Sequence, residues 1–131
     1  MPAPAELLAA MPFAVASGVL LDRAEAGEVT GRLPWAPERC TAGGVLHGGA
    51  LMTLADSVGA VCAFLNLPAG TATSTVASST VLMRAIRGGS AHAVARPLHT
   101  GRSFVVVTAE LTDDEGRRVA QVTQTQAVLQ A

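Results

Sequence analysis

The stretch GGVLHGGALMTLADSVGA, residues 43–60, decides the fold of this chain. His47 and two glycines precede an apolar run, and a lone aspartate, Asp56, lies within that run nine residues after the histidine. Apolar residues recur with a period of about 3.6 residues, which predicts a helix from about Gly48 to Leu65. One face of this helix is a continuous apolar stripe that we expect to pack on a sheet: Leu51, Leu54, Ala55, Val58, Val61, Cys62 and Leu65.

Asp56 projects from the other face of the predicted helix, about 150° from the centre of the stripe at about 100° per residue. Its neighbours on that face are mostly small or apolar: Met52, Thr53, Gly59, Ala60 and Ala63. A solvated surface carboxylate is the simplest interpretation, but this face offers no Lys or Arg as a partner. A single charge on a nearly apolar face favours a functional role for Asp56.

Gly48 and Gly49 follow His47 at the start of the predicted helix. They could simply form the corner between a loop and the helix. The first N–H groups of a helix, however, have no helical acceptor and lie at the positive end of its dipole. Because glycines leave those groups open to a ligand oxygen, the pair also suits an oxyanion-binding site.

Composition limits the classes of function. The chain has 131 residues, of which 50% are apolar and 3% aromatic, and its net charge is −1. This length suits one domain over residues 1–131, and the charge indicates neither a nucleic-acid nor a membrane partner. Cys40 and Cys62 form no CxxC motif, and the three histidines lack metal-ligand spacing. We therefore expect a cytoplasmic protein with free thiols, no metal and no cofactor.

The apolar segment 7–21 is interrupted by Pro12 and lacks a basic start, so we expect neither a signal peptide nor a membrane span.

The rest of the chain predicts strands around the helix. Residues 4–11 suit a short helix that is ended by Pro12. The pattern elsewhere suits about five or six strands joined by short turns: 14–23, 28–36, 71–86, 91–99, 102–112 and 117–129. Few connections are long enough for a crossover helix, which favours an antiparallel sheet. One helix on such a sheet is an α+β fold.

The pattern GVLHGGALMTLAD, with Gly44, His47, Gly48, Gly49 and Asp56 in place, resembles the hotdog-fold acyl-CoA thioesterases. The PaaI-like and 4-hydroxybenzoyl-CoA thioesterase-like proteins are the members it resembles. The segments TSTVASSTVLMR, TGRSFVVVTAEL and DDEGRRVAQVTQTQ extend the resemblance over nearly the whole chain. It implies a hotdog fold, in which an antiparallel sheet wraps around one long helix, and hydrolysis of a small aryl or short- to medium-chain acyl-CoA thioester.

The resemblance also implies roles for individual residues. The backbone N–H of Gly48 would polarise the thioester carbonyl, and Asp56 would act as general base on water or as nucleophile. Thr75 matches a position that orients the water or the carboxylate, and His47 would lie beside the thioester. Four further residues match positions near the substrate or its coenzyme A arm: Gly49, Arg84, Arg102 and Ser103.

Thr41 is the one departure from the family's pattern. It occupies the place of an Asn or Gln six residues before the histidine, and that amide helps the family to hold the thioester oxygen or the water. Threonine offers only a hydroxyl with shorter reach. Two alternatives to a thioesterase stay open: a non-catalytic acyl-CoA-binding or regulatory protein, and a hotdog enoyl-CoA hydratase.

The spacing of Gly48 and Asp56 bears on the assembly. Eight residues separate them, which is about 12 Å along one helix and too far for both to act on one carbonyl. If both act, one of them must come from a second chain. We therefore expect a homodimer with two acyl-CoA sites shared between its subunits, and pairing of such dimers into a homotetramer.

Overall fold

One long helix lies against a six-stranded antiparallel sheet in the computed structural model, which describes residues 2–130. The helices are α1 Pro4–Ala9, α2 Pro12–Ser17 and α3 Gly48–Phe64, with one 3-10 turn at Pro37–Arg39. The strands are β1 Leu20–Glu25, β2 Glu28–Pro34, β3 Thr71–Leu82, β4 Ser90–Thr100, β5 Phe104–Thr112 and β6 Arg118–Gln130. Their order across the sheet is β1-β2-β4-β5-β6-β3, and every neighbouring pair is antiparallel. The predicted α+β hotdog fold is confirmed.

The apolar stripe of α3 packs on the sheet as predicted. Its central residues are fully buried, and Leu65 caps the helix while half-buried. The strands in the middle of the sheet alternate buried and more exposed residues, and the buried ones face the helix: Ala91, Ala93 and Ala95 on β4, and Val105, Val107, Ala109 and Leu111 on β5. Small side chains on β4 let α3 lie close to the sheet. Within residues 2–130, no helix is both long enough and apolar enough to cross a bilayer.

The strand predicted over residues 14–23 is wrong in its first half. Pro12 does end α1, but it also begins α2, because proline at the first helical position lacks only an N–H that would have no helical acceptor. Helix α2 ends at Gly18, whose φ of 95° is left-handed and whose N–H donates to Ala14 and Val15 carbonyls. The chain enters β1 only at Leu20.

Strand β3 forms one edge of the sheet and is mostly exposed on both faces. It ends at Leu82, four residues before the predicted end at residue 86. Its pairing with β6 shifts between Thr75 and Ala77, so Val76 is a bulged residue. A bulge reverses the alternation of side chains, and Thr75 before it and Ser78 after it therefore face the same side, toward α3.

Candidate active site

Asp56 is held by a small hydrogen-bond network within one chain. Its Oδ1 accepts from the hydroxyl of Thr75 at 2.9 Å and from the side-chain amide of Gln124 at 2.9 Å. The amide of Gln126 donates to the Thr75 hydroxyl at 2.8 Å and to Oε1 of Gln124 at 3.2 Å. Asp56 and Thr75 are exposed, whereas both glutamines are buried. The network therefore anchors an accessible carboxylate from the interior of the sheet.

The two glutamines are functional candidates that the sequence analysis missed. Gln124 and Gln126 alternate with Thr123 and Thr125 on β6, and they continue the core-facing row that begins with Ala120 and Val122. The sequence shows that the two glutamines continue a row of apolar, core-facing positions. Because buried amides need hydrogen-bond partners, this pattern predicts that both glutamines bond to other polar groups. The pattern gives no indication that the partner is Asp56, which is 68 residues away from Gln124.

His47 caps the start of α3. Its Nδ1 accepts from the backbone N–H of Gly49 at 2.8 Å, and a neutral imidazole with Nδ1 as acceptor carries its proton on Nε2. A Cβ at Gly49 would lie 2.9 Å from that Nδ1. The structure thus accounts for Gly49 as the residue that admits the histidine cap. The N–H of Gly48, by contrast, has no acceptor within residues 2–130.

Two neighbouring cavities open beside these groups. One of about 270 Å³ is lined by Asp56 together with Phe13, Met52, Thr53, Ser57 and Ser78. The other, of about 470 Å³, is lined by His47 and Gly49 and shares Phe13 and Thr53 with the first. The side chain of Phe13 on α2 is 73% exposed and stands between them. Asp56 and His47 therefore face adjoining spaces large enough for part of a small ligand.

The sequence profile of the Thioesterase superfamily matches residues 43–120, a range that includes Gly48, Asp56 and Thr75. The chain belongs to this superfamily. The match begins just before the HGG motif and runs through α3 to the start of β6. It confirms the family that the motif and its spacing indicated.

The named relatives of this chain agree with this assignment. A 1,4-dihydroxy-2-naphthoyl-CoA hydrolase of Escherichia coli strain K12 is 33% identical over 86 residues, which are 66% of this chain and 63% of that protein. The proofreading thioesterase EntH of Klebsiella pneumoniae is 29% identical over 101 residues, 77% of this chain and 74% of the relative. A crystal structure of a mutant of thioesterase PA1618 from Pseudomonas aeruginosa has a TM-score of 0.92 at 26% identity, covering 98% of this chain and 95% of that one. The predicted class of enzyme, a thioester hydrolase, is confirmed.

The other site residues that the resemblance to thioesterases implied lie far from one another within a single chain. Thr41 is exposed in the loop before α3 and lines neither of the two cavities. Arg84 follows β3, and its N–H donates to Val119 at the start of β6. Arg102 and Ser103 lie in the β4–β5 turn, where the Ser103 carbonyl accepts from the N–H of a residue near the end of β6, Val128. Val119, which bonds to Arg84, and Val128, which bonds to Ser103, are nine residues apart on β6. This is roughly 30 Å at about 3.3 Å per residue.

The surroundings of both cysteines suit a structural role. Cys62 is fully buried on the stripe of α3, and burial raises the pKa of its thiol to about 11. A thiol with such a pKa is a poor source of the reactive thiolate. Cys40 is half-buried and its Sγ donates to the Ala36 carbonyl at 3.3 Å. Within residues 2–130, no three His, Cys, Asp or Glu side chains are grouped to share a metal ion.

Proposed function

We propose that this thioesterase-superfamily protein hydrolyses the thioester bond of an acyl-CoA to give the free acid and coenzyme A. The observation that carries the proposal is the accessible carboxylate of Asp56, which is held by Thr75 and Gln124 at the wall of a cavity. A carboxylate fixed in position beside a space for substrate suits a base or nucleophile, because orientation removes much of the entropic cost of reaction.

The chemistry needs a carboxylate and a donor to the developing oxyanion. The N–H of Gly48, at the positive end of α3, would donate to the thioester carbonyl oxygen. In one course, Asp56 takes a proton from water as the water oxygen bonds to the carbonyl carbon, and the tetrahedral intermediate expels the coenzyme A thiolate. In the other, an Asp56 oxygen attacks the carbonyl carbon and expels the thiolate, and water then hydrolyses the mixed anhydride. Both courses consume one water and release the acid and the thiol.

The site requires two chains if Gly48 and Asp56 both act. Both residues lie on α3, so about 12 Å of helix separates them. Strand β3 offers the means of association, since it is an unpaired edge with exposed apolar side chains at Val76, Val81 and Leu82. Long exposed edge strands with apolar residues readily pair with another chain. We therefore infer a homodimer with two shared sites, and a tetramer of two such dimers.

Arg84 and Arg102 support the same arrangement for the coenzyme A arm. Neither guanidinium has an ion-pair partner within residues 2–130, and the same is true of Arg39 and Arg87. The other five arginines, Arg23, Arg32, Arg96, Arg117 and Arg118, all meet carboxylates. Unpaired guanidinium groups suit the phosphates of coenzyme A. Because Arg84 and the Arg102–Ser103 turn are roughly 30 Å apart along β6, one nucleotide would meet them only from different chains.

The acyl group is proposed to be small and aromatic or a short to medium aliphatic chain. The two cavities beside Phe13 and Thr53, about 270 and 470 Å³, would accept such a group. The name of the Escherichia coli relative adds support for an aromatic acyl group, since its substrate is a naphthoyl thioester.

A panel of acyl-CoA thioesters with thiol detection tests the proposal. It contains aryl-acetyl, hydroxybenzoyl, naphthoyl, short-chain and medium-chain thioesters, and release of free thiol is expected for at least one class. Binding of these compounds with no turnover would favour the non-catalytic acyl-CoA-binding protein. Loss of the enoyl chromophore from an enoyl-CoA without thiol release would favour the hydratase.

A further inference from the structure

We propose that Gln124 and Gln126 are positioning residues that fix Asp56 through its Oδ1 and thereby leave Oδ2 as the oxygen that reacts. The proposal rests on the acyl-CoA hydrolysis proposed above, and it names residues on β6 that the resemblance did not assign. Its basis is the direction of every hydrogen bond in the network around Asp56.

The direction of these bonds follows from which atoms carry hydrogens. A carboxylate oxygen only accepts, so the Gln124 group nearest Asp56 must be the NH₂ and not the carbonyl. Its Oε1 is then free to accept from Gln126 at 3.2 Å. The Thr75 oxygen accepts from Gln126, so its single proton points onward to Asp56. Both branches therefore deliver a donor to the same atom, Oδ1.

The other oxygen of Asp56 is left unbound by this network. No donor among residues 2–130 reaches Oδ2. With two donors on Oδ1, rotation of the carboxylate would break two charge-assisted hydrogen bonds. The group is thus held in one orientation, and the free Oδ2 is the atom that would take a proton from water or attack the substrate.

Gly59 makes room for this arrangement. A Cβ at Gly59 would lie in collision with Oε1 of Gln124, and that glycine is one turn after Asp56 on α3. The space beside Gly59 is therefore filled by a side chain of the same protein, Gln124.

Both glutamines are buried, unlike most amide side chains. Gln124 is 1% exposed and Gln126 is 0% exposed. Burying an amide is unfavourable unless its groups are paired. The two amides are paired with Asp56, with Thr75 and with each other, and Oε1 of Gln126 also accepts from the Thr73 hydroxyl at 3.4 Å. An apolar residue at either position would fill the same core without that requirement.

Gln124→Met is the direct test, with Gln121→Met as its matched control. Gln121 lies on the same strand but on the opposite face, half-buried. We expect Gln124→Met to lower kcat by about 10- to 100-fold, the loss typical of a hydrogen bond to a charged group, with KM changed less than about threefold. Gln121→Met should keep kcat within about twofold. A Gln124→Met enzyme that is folded and retains wild-type kcat overturns the proposal.

A double-mutant comparison separates positioning from general disruption of the fold. Gly59→Ala should displace the Gln124 amide and lower kcat in the wild-type background. In a Gln124→Ala background the amide is absent, so Gly59→Ala should have almost no further effect on kcat. Independent, multiplicative losses would contradict the link between the two residues. If Gln124→Met does not fold, Gln126→Met replaces it, because this change removes the donor to Thr75 and Gln124 and leaves the Gln124 bond to Asp56 in place.

The same experiment distinguishes failure of this proposal from failure of the proposed function. A wild-type protein with no activity on the thioester panel refutes hydrolysis itself. A wild-type enzyme that depends on Asp56 but is indifferent to Gln124, Gln126 and Gly59 refutes only the positioning role.

Discussion

Gly48 and Asp56 stand on the same helix, α3, with the N–H of Gly48 at its first turn and the anchored carboxylate of Asp56 two turns later. The axial separation of about 12 Å is fixed by helix geometry. Neither a loop movement nor a change of rotamer can bring the two groups to one carbonyl. The single chain therefore contains both halves of the proposed site but not an assembled one.

Subunit complementation measures whether the site is shared. An Asp56→Ala chain and a Gly48→Val chain should each be nearly inactive, since the first lacks the carboxylate in both sites and the valine side chain of the second obstructs the backbone N–H in both sites. After co-refolding of equal amounts, random pairing makes half of the dimers mixed, and each mixed dimer has one intact site. Roughly a quarter of wild-type activity should return. If mixed dimers form, as shown by differently tagged chains, and no activity returns, the shared-site arrangement is wrong.

Asp56→Asn should lower kcat by at least about 100-fold, because general-base catalysis contributes about this much and an amide cannot act as the base. Substrate affinity should change little, since the amide keeps the shape of the side chain. Steady-state kinetics on the best thioester, with circular dichroism as the control for folding, provide the measurement. Near wild-type turnover in this variant would remove Asp56 from the mechanism.

Metal chelation should leave activity unchanged. The proposed chemistry uses a carboxylate and a backbone N–H, and neither requires an ion. Hydrolysis is measured before and after dialysis against EDTA, and then with added divalent ions. Loss of activity on chelation that is restored by one ion would show a metal-dependent reaction.

Thr41→Asn should fold normally and keep or raise activity. The side chain of Thr41 is exposed in the loop before α3, so a larger amide meets no packed core. The amide would also supply the longer donor that the resemblance to hotdog thioesterases implies at this position. A folded variant whose activity collapses would show that the Thr41 hydroxyl has a role of its own.

His47→Ala should lower the free energy of unfolding by about 1 kcal/mol, the typical cost of losing a helix N-cap. The reason is the bond from the Gly49 N–H to His47 Nδ1, which would lose its acceptor. Urea unfolding followed by circular dichroism measures the change. His47→Asn is the matched control, because asparagine also caps helices, and it should recover much of the loss. Equal stability of all three proteins would contradict the cap.

The sequence by itself was sufficient to predict the central helix, the later strands and the family. Each of these depends on local or periodic patterns: the apolar stripe of α3, the alternation along 102–112 and 117–129, and the spacing of His47 and Asp56. Such patterns persist in any environment because the periods of helix and strand are fixed by backbone geometry. The strand predicted near the start of the chain was wrong because Pro12 both ends one helix and begins another. The apolar run after Pro12 suits a helix as well as a strand.

Tertiary structure alone decided which residues surround Asp56. The bulge at Val76 turns Thr75 and Ser78 to one side, and the pairing of β3 with β6 brings Gln124 and Gln126 to the carboxylate. These contacts join residues about 20 to 70 positions apart, and no local pattern specifies them. The register between strands and the packing of α3 on the sheet depend on each other, because both are determined by burial of the whole core. The sequence therefore determined the carboxylate and its helix, and only the folded sheet determined what holds that carboxylate in place.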